Sequence, residues 1–454
     1  MFMFDLAVRN GNIYLPGGAV VKASIGIKDG KIAAIGGNTA IGEASKNINA
    51  EGLLVIPGGF DSHVHIHTGA THRGDFRTGS LAAIAGGTTL VADFARARDK
   101  ESLTEVFKRK AETGLRLSQC DFCLHTVLWR ERDIEEVDKL ASMGALSYKH
   151  MMANCDGTPY VDTGFMYKSF LKLSGTDLIA TVHAEDEWIR REAQKLLVSA
   201  GRKDPDAHWQ ARPDIAQIEA VKRAILLATY MNVRLHIFHL STARVLPDIA
   251  TAKQKSVTVE TCPHYLIFTR EDIRKMGPYL AINPPLGTKE DKTMLWKALA
   301  DGTIDIVTSD HYAPLKKEKE KCWDNIWNVE AGVPGVETRL PLMLSEGYIK
   351  GRLTLKRFVE AVSEEPARIY GLYPLKGAII PGADADLAII DLKAEYRLNV
   401  DILHQKADWT PYEGLTLKGM VVYTIISGRI LYERGELHPG GRARLIPVNY
   451  GKSQ

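Results

Sequence analysis

Only five of the 454 residues are cysteine: Cys120, Cys123, Cys155, Cys262 and Cys322. Few, odd in number and mostly far apart, they argue against a disulfide framework and for a reducing compartment. Cys120 and Cys123 form a CxxC, but it sits inside the apolar run QCDFCLHTVL with no second pair. A buried strand is expected there rather than a zinc or redox motif. Long hydrophobic runs are also missing: no stretch reaches the roughly 18 apolar residues of a membrane helix. The start MFMFDLAVRN has no basic segment followed by an apolar core, so a soluble, cytoplasmic protein without membrane partners is expected. Charge of one sign is lacking too. Lys and Arg number 58 against 55 Asp and Glu, a net charge of +3, with no basic run interleaved with aromatics. Nucleic acid is therefore an unsuitable partner, and a small molecule is the expected one.

What is present changes character along the chain. Residues 2–56 are short β-rich segments punctuated by Asn10-Gly11 and Asp29-Gly30, dipeptides that supply positive φ for tight hairpins. The far end is alike, with DLAIIDL (Asp386 to Leu392) and MVVYTIISGRILY (Met420 to Tyr432) between loops rich in Pro, Gly and Asp. Both ends together predict one composite β-sandwich domain, residues 1–56 and 375–454. Between them, residues 57–374 alternate short apolar runs with amphipathic helical stretches such as DIEEVDKLASMG and QIEAVKRAILLATY, the pattern of parallel βα units. Eight such runs are found: LLVIPGGFDSH, TTLVAD, CDFCLHT, GALSYK, DLIATVH, VRLHIFH, SVTVETC and IDIVTSD. They predict an α/β fold, a closed (β/α)8 TIM-like barrel.

The ends of these runs are polar where a strand buried on both faces should be apolar. His63, Lys149, His183, His239 and Asp310 finish five of them. Strand C-termini are where such barrels assemble their active sites, so these residues are expected to converge. His63 and His65 are two apart and share one face of an extended strand, a metal-binding pair. Imidazole nitrogen suits zinc, and Asp310 adds a hard oxygen. Lys149 is the odd member, since an ammonium is repelled by cations. Burial and nearby positive charge depress a lysine pKa, and the neutral amine can add carbon dioxide to form a carbamate whose two oxygens bridge two metals. The expected cofactors are two divalent ions, with zinc the expected metal, on N6-carboxylated Lys149. Asp310 doubles as the catalytic base and acid, taking a proton from the attacking water and passing it to the leaving nitrogen.

Beyond these positions, ordered motifs span nearly the whole chain: PGGFDSHVHIHTG, SYKHMMA, VHAED, IFHLSTA, ETCPHYL, INPPL, TSDHYAP, GVPGVET, PGADADLAIIDL and TPYEG. Through them the chain resembles the cyclic amidohydrolases, the group of hydantoinase, dihydropyrimidinase, allantoinase and dihydroorotase. The resemblance implies His63 and His65 on one metal, His183 and His239 on the other, carboxylated Lys149 between them, and Asp310 as ligand and proton carrier. It also implies a homotetramer or homodimer.

Departures from the family narrow the expected substrate. Dihydroorotases usually carry Arg two residues after the second metal histidine, where this chain has His67, a poor substitute for a bidentate guanidinium. Many dihydropyrimidinases and D-selective hydantoinases place an oxyanion-stabilising Tyr five residues after the bridging lysine, where this chain has Asn154. YKHMMANCDGTPYVD and CWDNIWNVEAGVPGVET are similar to L-selective hydantoinases and, less closely, to allantoinases. Asn283 in INPPL and Thr338 in GVET match positions whose backbone reads the ring amides. Hydrolysis of a hydantoin-like or dihydropyrimidine ureide to an N-carbamoyl amino acid is thus expected, with allantoin as the alternative ring. A catalytically silent scaffold of this family would lack several of the six ligands, all of which are present.

Overall fold

The computed structural model describes residues 3–448 except 156, 158, 254 and 255. Its centre is a parallel barrel of eight strands: β1 (Gly59–Asp61), β2 (Thr88–Ala95), β3 (Asp121–Val127), β4 (Tyr148–Met151), β5 (Ile179–His183), β6 (Arg234–Ile237), β7 (Val257–Thr261) and β8 (Ile306–Val307). Each pairs with its neighbour in sequence. A parallel bridge from Val64 to His311 closes the ring, with the His65 N–H donating to the His311 carbonyl at 2.8 Å. All eight residues of β2 are buried, as its unbroken run TTLVADFA requires of a strand covered on both faces. Intervening helices form the outer layer. Helix Asp214–Met231 ends on Asn232 at φ 53, a left-handed cap that asparagine tolerates. Cys120 and Cys123 are both buried, one at the entry to β3 and one within it.

Both termini build a second, mixed sheet of nine strands. Leu54–Pro57 joins its halves, pairing parallel with Phe4–Tyr14 and antiparallel with Leu387–Arg397. The edge strand Lys31–Gly36 bonds through Ile32 to Gly382 and Ala383, so the sheet curls back on itself. One apolar core, including Val8, Ile25, Ile48, Ile389 and Ile425, fills the enclosed space.

Two local expectations are corrected. Asp29-Gly30 does make the tight hairpin between Val20–Lys28 and Lys31–Gly36. Asn10-Gly11 does not: it is a bulge inside the continuous strand Phe4–Tyr14, where the register with Val20–Lys28 slips between Val8 and Gly11. A Cβ on Gly11 would lie 2.8 Å from Val55 Cγ2, so the glycine there serves close packing as well as the turn of the backbone. The run LLVIPGGFDSH is likewise two strands. Leu54–Pro57 belongs to the terminal sheet and Gly59–Asp61 to the barrel, with Gly58 between them passing so close to Thr89 that a Cβ would meet it at 2.3 Å. No helix among the described residues is long and apolar enough to cross a membrane.

Candidate metal centre

The C-terminal ends of the barrel strands bring the six polar residues together. His63 and His65 follow β1, and each presents Nε2 to Asp310 Oδ1 at 3.2 Å. Lys149 on β4 places Nζ 3.4 Å from His63 Nε2. The rings of His63 and His239 lie 5.3 Å apart between centroids, and His239 Nε2 is 3.0 Å from Nδ1 of His183, the last residue of β5. The chain of contacts thus runs unbroken from His65 to His183.

Four of these residues, His63, His65, His239 and Asp310, sit beyond their strands, and two of the four have unusual backbone. His239 has φ 38 and Asp310 φ 46, left-handed values uncommon for residues with a side chain. Such backbone costs about 1–3 kcal/mol and concentrates at functional sites, where the surroundings hold it. Here the His239 N–H is held by Glu260 Oε1 at 3.2 Å.

Charge in the cluster follows from burial. Lys149 Nζ lies 4.2 Å from the Phe94 ring centroid and 5.0 Å from that of Phe238. Burial pulls its pKa down to about 8 although Asp310 opposes the shift, so a neutral amine is accessible near neutral pH. His63 and His239 are held well below the ordinary imidazole value, chiefly by burial and secondarily by Lys149 and His183 respectively. Both are neutral imidazoles, the form that binds metal. Burial also acts against a charge on His183, but Cys155 and Glu185 outweigh it and raise that pKa to about 9. Burial works against the Asp310 carboxylate as well, yet His65, His239 and Lys149 hold its pKa below the ordinary range. His239 Nδ1 is buried with no hydrogen-bond partner among the described residues. Converging neutral nitrogens beside an ionised carboxylate are a donor set that fits divalent cations.

Glu260 is a functional candidate that the sequence reading passed over. Fully buried on β7, it sets Oε1 2.6 Å from His63 Nδ1 and Oε2 3.2 Å from His236 Nε2. A proton on His63 Nδ1 shared with this carboxylate leaves Nε2 as a free lone pair facing the cluster. Its signal was present in SVTVETC, where a carboxylate interrupts an otherwise uncharged strand. Glu185 and Cys155 flank His183 Nε2 at 2.8 and 3.2 Å, and Arg212 pairs with Glu185. His311 accepts the N–H groups of Gly335 and Val336 on Nδ1 at 3.0 and 3.2 Å. It therefore ties the GVPGVET loop to the strand end next to Asp310. His264 is buried, but neither ring nitrogen has a hydrogen-bond partner among the described residues.

The four expected substrate contacts are placed differently. The His67 ring stacks on Phe76 at 5.1 Å. Asn154 Oδ1 accepts the Gly157 N–H at 3.1 Å, and Thr338 Oγ1 donates to the Gly335 carbonyl at 3.3 Å. Both side chains are thus engaged within their own loops. Asn283 precedes a cis-proline, and its side-chain Oδ1 is buried beside His208.

Comparison with known proteins agrees with this geometry. Residues 54–431 match the Amidohydrolase family. An L-hydantoinase of Paenarthrobacter aurescens is 34% identical over 442 residues, 96% of each chain. An allantoinase of Rubrobacter xylanophilus is 35% identical over 453 residues, 98% of each. Among solved structures, an L-hydantoinase (dihydropyrimidinase) from Arthrobacter aurescens superposes with a TM-score of 0.93 at 33% identity, covering 98% of this chain and 100% of that one.

Proposed function

The chain belongs to the amidohydrolase family, as a member of hydantoinase/dihydropyrimidinase type, and from that premise we propose that it opens the ring amide of hydantoin-like or dihydropyrimidine ureides to N-carbamoyl amino acids. One observation carries the proposal. His63, His65 and Asp310 bring donor atoms within 4.8 Å of one another at the mouth of the barrel, with Lys149 Nζ 3.4 Å from His63 Nε2.

His63 and His65 would hold one divalent ion and His183 and His239 the second. Lys149, carboxylated on its ε-nitrogen, would bridge them, with Asp310 as a further ligand. Zinc suits this imidazole-rich set. Such a pair of ions supplies Lewis acidity to the ring carbonyl and lowers the pKa of the attacking water. Asp310 receives the proton of that water as its oxygen bonds to the carbonyl carbon. It then hands the proton to the ring nitrogen as the C–N bond breaks, leaving a carboxylate and a free carbamoyl group. Glu260 keeps His63 in the tautomer that offers Nε2 to the site. Neither Asn154 nor His67 supplies a hydroxyl or a guanidinium to the substrate. The ring is therefore read mainly by loop backbone around Asn283 and Thr338.

Assembly into two or four copies belongs to the same reading. The packed helices Glu187–Ser199 and Asp214–Met231 expose Trp188, Leu196, Leu226 and Tyr230, at 62% to 84% of their surface, apolar side chains that a second copy would cover. Allantoin is the second ring to consider, in view of the allantoinase relative. The test is a panel of L- and D-substituted hydantoins, dihydrouracil, allantoin and dihydroorotate offered to zinc-loaded enzyme, followed by chiral analysis. Turnover of hydantoins to N-carbamoyl amino acids is expected, and rapid turnover of dihydroorotate alone would overturn the assignment.

A further inference from the structure

Asp93 closes the run TTLVAD with a charge, as the metal-binding residues close theirs, yet its carboxylate is turned to a lysine instead. It is buried near the end of β2, and its Oδ2 lies 3.2 Å from Nζ of Lys110, a largely buried residue of helix Leu103–Leu117. This ion pair meets four backbone groups that belong to two segments. Asp93 accepts the His67 N–H on Oδ2 at 3.0 Å and the Phe94 N–H on Oδ1 at 2.7 Å. Lys110 Nζ donates to the His67 carbonyl at 2.9 Å and to the Phe94 carbonyl at 2.6 Å. An ammonium has three N–H donors, and with Asp93 all three are used.

Both segments bear on the first metal. Residues 63–67 lie beyond β1, which ends at Asp61. They are held there by the Val64 N–H on the Ala92 carbonyl at 3.0 Å, by the His65 N–H on His311, and at the far end by the Asp93–Lys110 pair. The Phe94 ring stacks on His65 at 4.8 Å, lies 4.9 Å from the His63 ring and stands 4.2 Å from Lys149 Nζ. The pair therefore fixes where the two histidines stand relative to the ring that packs on them. A buried ion pair adds little stability over apolar side chains of similar volume, so a defined geometry is what it supplies.

We propose that Asp93 and Lys110 are positioning residues for the ion held by His63 and His65. They act through backbone. The tie at His67 limits the swing of His65, two residues earlier, and the tie at Phe94 keeps its ring against His65 and beside Lys149. His183 and His239, the histidines of the second ion, belong to β5 and the segment just past β6, further round the barrel. Loss of the pair is therefore felt by the first ion and not by the second. This inference rests on the two-metal reading above.

The test is zinc affinity, read by competition with a chromophoric chelator in two backgrounds. H183A keeps the His63–His65 ligands, and H65A keeps those of His183 and His239. K110M is expected to weaken zinc binding in H183A about tenfold or more, the scale on which a ligand-orienting partner acts, and to leave H65A unchanged. K110R should recover part of the loss. D93N/K110M removes both charges together, so no unpaired charge is left buried to unfold the chain. It still lacks the donor to the two carbonyls and should show the same selective weakening, with thermal unfolding of the metal-free protein as the check on folding. Equal weakening in both backgrounds, or undiminished affinity in D93N/K110M, overturns the role of the pair alone. Wild type that binds no zinc overturns the two-metal reading and this inference with it.

Discussion

At the mouth of the barrel, His63, His65 and Asp310 bring three potential ligand atoms within 4.8 Å of one another, and around the N-terminal end of β3 Asp121, Asp384 and Asp386 do the same. By spacing alone the two clusters are equal. By charge they are not. Lys376 Nζ stands 2.6, 2.9 and 2.5 Å from Asp121, Asp384 and Asp386. Arg444 reaches Asp121 and Asp384 at 2.6 and 2.7 Å, and Lys31 reaches Asp384 at 2.5 Å. Three carboxylates are thus met by three cationic side chains, so a metal would have to displace ions already paired. At the mouth His63 and His239 are neutral imidazoles, beside one carboxylate and a lysine whose charge burial undermines. The mouth is left with lone pairs to offer, while the other cluster joins β3 to the terminal sheet and the C-terminal segment.

This contrast predicts opposite consequences for the two buried lysines. K149A is expected to abolish ring opening, with partial rescue by short carboxylic acids that replace the carbamate, while its unfolding curve stays near wild type. Full unrescued activity would remove the bridging lysine from the account. K376M should do the reverse. Removing the cation from a buried network typically costs about 3–5 kcal/mol, so denaturant unfolding should shift strongly while the folded fraction keeps its metal content. Equal stability would mean that the carboxylates do not depend on Lys376. A smaller effect is expected for E260Q, which weakens the orientation of His63. Loss of such a partner typically lowers metal affinity about 10–100-fold, readable by competition with a chromophoric chelator, and unchanged affinity would make Glu260 purely structural.

The smallest effect concerns pH. Lys376 has its pKa raised in the folded protein: burial alone would lower it, but Asp386, Asp121 and Asp384 more than compensate. A raised pKa contributes stability that is complete below the unfolded lysine value of about 10.4. It is lost as pH climbs from there toward the folded value. The stability gap between wild type and K376M should therefore be flat from pH 7 to 9.5 and shrink above it. A gap that widens in alkali would contradict the ion-pair reading.

Much of the mouth was legible because it is written at run ends. His63, His183, His239 and Asp310 each close an apolar stretch, and β2, β3 and β5 lie where TTLVAD, CDFCLHT and DLIATVH put them. Lys149 proved to be the second residue of its strand, and His239 and Asp310 lie past theirs in left-handed backbone, which no hydrophobic pattern encodes. Asn10-Gly11 misled because positive φ serves a bulge as readily as a hairpin. Glu260 was hidden by the assumption that only the final residue of a strand matters. The Lys376 network was invisible for a different reason: residues 31, 121, 376, 384, 386 and 444 share no local pattern, and only the folded chain brings them into one cluster.

The central claim is that the mouth holds two metals through a modified lysine. Elemental analysis of wild type and K149A, purified side by side after growth in zinc, tests it most directly. Wild type should carry about two ions per chain and K149A clearly fewer. One ion or none in wild type, or two retained in K149A, would contradict it.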